Sequence, residues 1–151
     1  MRRPIVLAVL AVTGSLTIAA VSIAAEKERP AGPIKDRYEL MKGIGKNAKI
    51  IGDAMKAGNT EGVATAAAQI QTAAAKALPL FPPNSIDPSS RAKPNIWTDW
   101  SKFESDMKDL EARAGELADA VNSGGDVAAA SQKMFDACKS CHDQFRAPEK
   151  K

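Results

Sequence analysis

Apolar residues in this chain recur three and four positions apart along four separate stretches, and proline or glycine interrupts the pattern between them. That spacing puts each set on one face of a helix and does not fit the two-residue alternation of a half-buried strand. The first stretch runs from Ile34 to Lys56, with Tyr38, Met41, Ile44, Ala48, Ile51 and Met55 following Ile34 down one side. Pro33 suits its start and Gly58-Asn59 its end. The second runs from Thr60 to Leu78 along Val63, Ala67, Ile70 and Ala74, and Pro79 stops it. The third, Ile96 to Asn122, carries a seam of coiled-coil type through Trp100, Phe103, Met107, Leu110, Ala114, Leu117 and Val121. Ser123-Gly124-Gly125 closes it, and Asp126 is placed to cap a fourth helix that runs to Arg146. The inward face of that helix reads Val127, Ala130, Met134, Cys138, Cys141 and Phe145. Between the second and third stretches, PLFPPNSIDPSSRAKPN holds five prolines and is long enough to cross from one end of a bundle to the other. The fold class expected is all-α, an antiparallel four-helix bundle.

The N-terminus reads differently. Met1-Arg2-Arg3 leads into an uncharged apolar run from Ile5 to Ile23, small residues follow at Ala24-Ala25, and charge begins at Glu26. This is the three-part pattern of a secretory signal peptide, residues 1–25, with cleavage after Ala24 or Ala25. A retained membrane anchor is the rival, but Thr13-Gly14-Ser15 and Thr17 dilute the run. Arg2 and Arg3 leave with the signal, so the formal +3 of the whole chain falls to about +1. A near-neutral domain over residues 26–151 gives no electrostatic case for binding nucleic acid or a membrane surface. Its length suits one core.

Both cysteines and the only histidine of the chain fall in Cys138-Lys139-Ser140-Cys141-His142. On a helix, positions three and four apart share a face, so the three side chains project together. A disulfide or thiol redox pair would account for the cysteines in an oxidising compartment but leaves His142 a coincidence. Zinc would want a fourth ligand. Covalent haem uses all three groups: two thiols form thioethers with the two vinyl groups, and the imidazole that follows can face the iron. That chemistry occurs outside the bacterial cytoplasm, in keeping with the signal peptide.

The chain resembles the class II cytochromes c, which comprise cytochrome c′ and its low-spin, methionine-ligated relatives. The likeness spans Ile34 to Arg146. It rests on the attachment motif near the C-terminus, on Arg37-Tyr38-Glu39-Leu40-Met41-Lys42, on Leu80-Phe81-Pro82, and on Ala92-Lys93-Pro94-Asn95-Ile96-Trp97. It implies one haem c held through Cys138 and Cys141 inside the bundle, with His142 as the proximal ligand.

One histidine excludes bis-histidine ligation within the chain, and a thioether is the natural internal alternative. Of the four methionines beyond the signal, Met134 sits one turn before Cys138, Met55 lies at the far end of the first helix, and Met107 belongs to the seam. Met41 lies four residues after Arg37, where the family presents a side chain to the distal face. There a methionine ligates the iron in the low-spin members and only covers an open site in cytochrome c′. Arg37 shares the face of Met41 and is a candidate for a haem propionate. Arg146, one turn beyond His142, is a candidate for the proximal pocket. Phe81 and Trp97 read first as core aromatics.

The expected function is single-electron carriage in the periplasm with His142 and Met41 as axial ligands. The alternative is a five-coordinate cytochrome c′ that binds NO or CO. Small redox proteins are the expected partners, and Lys139, Arg146, Lys150 and Lys151 offer a basic edge to an acidic one. Gly43, Gly45, Ala48 and Gly52 would permit a homodimer through the first helix. No base–nucleophile pair or second metal site marks the chain as an enzyme.

Overall fold

The computed structural model describes residues 29–149; the signal peptide expected at 1–25 lies outside the described residues. Among the described residues five helices follow in order, α1 Pro33–Lys56, α2 Val63–Ala75, α3 Asn95–Thr98, α4 Trp100–Ser123 and α5 Val127–Phe145, with a 3₁₀ turn at Leu78–Leu80. The four long helices form the bundle, and α3 is a short prelude to α4. α2 packs between α1 and α4, α4 packs on α5, and α1 and α5 scarcely touch. No helix among the described residues is long and apolar enough to cross a membrane.

The stripes read from the sequence are the ones buried. Ile44, Ile51, Val63, Ala67, Ile70, Ala74, Phe103, Met107, Leu110, Ala114, Leu117, Met134 and Phe145 all belong to the core. A glycine on α4 leaves room for a side chain of α2: a Cβ added at Gly115 would stand 2.7 Å from Nε2 of Gln71. Chain reversals follow the residue types. Gly124 takes φ 70° at the end of α4, a left-handed turn that a Cβ would oppose.

Asp126 caps α5 as expected, its carboxylate accepting from the backbone N–H of Ala129 at 2.9 Å. Replacing it with alanine orphans that donor. Asp126→Ala is expected to cost about 1 kcal/mol and to lower the melting temperature by a few degrees. Calorimetry of the haem-loaded protein reads this directly, and an unchanged melt would leave the cap without energetic weight.

The third stretch departs from expectation, because the helix read as Ile96–Asn122 breaks at Asp99, which takes φ −125° and ψ 48°. Two side-chain anchors hold the break. The Trp97 indole N–H donates to the carbonyls of Phe81 and Pro82 at 3.1 and 3.0 Å, fixing α3 to the loop. Gln144 donates from Nε2 to Asp99 Oδ2 at 3.0 Å, fixing the break to the end of α5. The second stretch is also shorter than its apolar pattern. Leu78 falls in the 3₁₀ turn because Pro79 cannot continue the ladder.

Candidate haem site

Where α1 and α5 would meet in a closed bundle, a cavity of about 570 Å³ separates them. Its size is that of a site for a large organic ligand. α1 supplies one wall through Met41, Ile44 and Ala48, and α5 supplies another through Cys138, Cys141 and Phe145. Phe81 and Phe103 close the back, their rings edge to face at 4.7 Å, with Phe145 in turn 5.3 Å from Phe103.

All six residues singled out by the sequence line this one cavity: Arg37, Met41, Cys138, Cys141, His142 and Arg146. Cys138 and Cys141 are unpaired and half-buried, packed against the core. Burial raises the Cys138 thiol, and burial reinforced by nearby Asp106 pushes Cys141 up to about 12. Such thiols stay protonated at neutral pH, the reverse of what a thiol redox pair requires. Among the described residues no three His, Cys, Asp or Glu side chains converge on a point that could hold a metal ion, so the zinc reading lacks its ligands as well.

His142 stands at the cavity rim with one edge open to solvent, rather than on the core side with the cysteines. Burial of its other edge, and then the charges of Arg146 and Arg91, lower its pKa against a smaller opposing pull from Asp143. The imidazole is thus neutral at neutral pH, the form that can donate a lone pair to a metal. Arg146 is exposed at the same rim.

Arg37 is only 3% exposed. Its Nη1 donates to Ser85 Oγ at 2.8 Å, and its Nη2 donates to the Ser85 carbonyl at 2.7 Å and to Ser90 Oγ at 3.0 Å. Burial lowers its pKa, and Asp87 partly restores it. The buried Nε has no partner among the described residues. Met41 is half-buried on the cavity wall. Met107 lines the cavity as well as belonging to the core, whereas Met55 and Met134 do not reach it. Phe81 lines it and Trp97 does not.

Several lining residues escaped the sequence reading, among them Ser90, Arg91 and Asp106. The first two sit in the loop, where periodicity is silent. Asp106 did leave a signal, being a charge three positions after Phe103 and four before Leu110 on an apolar stripe. In the dimer surface proposed for α1, Ala48 faces the cavity, and a Cβ at Gly52 would meet Phe135 at 3.9 Å, so both turn inward.

The residues present fit a haem. The walls are apolar, two thiols and an imidazole stand on one helix, and a buried guanidinium N–H lacks an acceptor. Bound there, the group supplies a one-electron iron centre and a face at which a ligand can add. Fold and site together define a four-helix-bundle haem c protein.

The sequence belongs to the cytochrome c′ family, whose model matches residues 32–146. One haem c is therefore attached covalently through Cys138 and Cys141. Among curated relatives, cytochrome c-556 of Rhodopseudomonas palustris is 25% identical over 146 residues, covering 91% of this chain and 95% of that one. The cytochrome c′ structure from Rhodopseudomonas palustris is 29% identical with a TM-score of 0.69, covering 80% of this chain and all of that one. A nitric oxide complex of a cytochrome c prime mutant from Alcaligenes xylosoxidans, 22% identical, shares the fold at a TM-score of 0.66, over 80% of this chain and all of the other.

Proposed function

We propose that this chain is a periplasmic cytochrome c′ that binds a diatomic gas, NO or CO, on the distal side of a haem held proximally by His142. Residues 1–25 act as the export signal and 26–151 as the mature domain. The observation that carries the reading is the wall around Met41, which with Ile44, Ala48 and Phe81 is apolar and suits a small uncharged gas. The nitric oxide complex of the Alcaligenes relative supports the same chemistry on this fold.

A second reading keeps Met41 as the sixth ligand and makes the protein a single-electron carrier between small redox proteins. It is favoured by one specific fact: Met41 on α1 and His142 on α5 line the same cavity from different helices. A Met/His pair would hold the iron six-coordinate in both oxidation states.

Visible spectra separate the two. The ferrous protein is expected to show broad high-spin bands that sharpen when CO is added. Met41→Ala is expected to bind CO about tenfold more tightly, since about 1.4 kcal/mol is a modest cost for displacing a covering side chain. Sharp low-spin bands with no response to CO in the parent, and a response gained only in Met41→Ala, would overturn gas binding and establish the electron carrier.

A further inference from the structure

The loop that follows α2 is tied on two sides at Ser90 and Arg91, beside the cavity. On one side, Ser90 Oγ accepts from Arg37 Nη2 and from the backbone N–H of Ala92 at 3.2 Å. On the other, Arg91 and Ala147 exchange two hydrogen bonds. Arg91 Nε donates to the Ala147 carbonyl at 2.8 Å, and the Ala147 N–H donates to the Arg91 carbonyl at 2.8 Å. Ala92 and Arg146 form an antiparallel bridge beside them. The Nη1 and Nη2 groups of Arg91 have no partner among the described residues, yet the side chain is half-buried and lines the cavity. Arg37, with its own unpaired Nε, and Arg146 line the same cavity. The acids at this cavity are Glu149, opposite Arg146, Asp87, which acts on Arg37, Asp143, which acts on His142, and Asp106, which lies beside Cys141. A half-buried guanidinium with a planar pair of N–H groups to spare, among like charges, is matched to a carboxylate.

We propose that Arg91 is a haem-binding residue that takes a carboxylate of the cofactor on its Nη groups, while its Nε fixes the chain that follows the attachment helix through Ala147. The proposal rests on the haem occupying this cavity. It gives a role to an arginine that lines the cavity from a proline-rich loop.

Arg91→Gln removes the charge and keeps a donor able to reach the Ala147 carbonyl, and Arg91→Lys keeps the charge. Lys93→Met serves as the control. It cuts the neighbouring tie from Lys93 Nζ to the Gln144 carbonyl, 2.8 Å, without touching the cavity. In the haem-loaded Arg91→Gln protein the uncompensated carboxylate should stabilise ferric iron. The reduction equilibrium against a fixed mediator should then move toward the ferric form by on the order of fivefold, the worth of one partly screened charge. The propionate bending band in the resonance Raman spectrum should shift as well. Arg91→Lys should recover most of the equilibrium, and Lys93→Met should leave both readouts unchanged. If Arg91→Gln matches Lys93→Met in equilibrium and Raman band, Arg91 is only a loop tie and the proposal fails. If a Cys138→Ala/Cys141→Ala chain still retained covalent haem, the placement of the haem itself would fall, a result distinct from the Raman outcome.

Discussion

A chain carrying Cys138→Ala and Cys141→Ala is expected to be made without covalent haem and to lose its cooperative thermal transition. The cavity between α1 and α5 measures about 570 Å³. At about 24 cal/mol per Å³ of unfilled apolar volume, leaving it unfilled would cost on the order of 10 kcal/mol, an upper bound because water enters at the rim. The whole stability of a domain of this size is about 5–15 kcal/mol. The bundle is therefore expected to loosen when the group between its walls is missing. Because α2 and α4 pack on each other independently of the cavity, helical content should survive while fixed packing does not. Far-ultraviolet circular dichroism should remain strongly helical, and near-ultraviolet signals from Trp97, Trp100 and Tyr38 should flatten. A haem-free chain with a sharp calorimetric transition near that of the parent would show that the bundle closes without its cofactor.

This dependence explains which parts of the structure the sequence made legible. Helices declare themselves through stripes such as Phe103–Met107–Leu110–Ala114–Leu117, because one face must leave water. The attachment motif declares itself because thioether chemistry fixes both spacing and residue type. The break at Asp99 was hidden, since its cause lies in partners far along the chain, Gln144 and the carbonyls of Phe81 and Pro82. Arg91 was hidden for a similar reason. Its inward orientation is set by Ala147, 56 positions away, and a proline-rich loop has no periodicity to betray which side chains turn in. The exposed rim position of His142 was also not readable, because a five-residue window gives a shared helix face but not where the neighbouring helix stops. Asp106 was legible: a carboxylate in the stripe beside Cys141 is the kind of local inconsistency that marks a site.

Arg37→Ala is expected to destabilise the haem-loaded protein by about 3 kcal/mol and to lower its melting temperature by about 10 °C. Two effects oppose each other here. Burying a guanidinium to 3% exposure carries a desolvation cost, visible in its lowered pKa, and replacing a buried charge by an apolar group can be neutral or better. Against this stand three hydrogen bonds from one cation, to the hydroxyl and carbonyl of Ser85 and the hydroxyl of Ser90, each worth about 1.5–3 kcal/mol when the donor is charged. The cover over Arg37 is thin, made by the loop and by Phe81 with its ring 5.1 Å away, so the desolvation cost is small beside that of a deep interior. The hydrogen bonds win. Arg37→Met, which keeps the stem, should lose less than Arg37→Ala, and a double-mutant cycle with Ser90→Ala should give a coupling of about 1–2 kcal/mol. The loop these bonds hold also carries Arg91 to the cavity, so loosening it should disturb the haem environment as well as the melt. Unchanged melts for both Arg37 variants would show that the loop is held by its ties to the end of α5 alone.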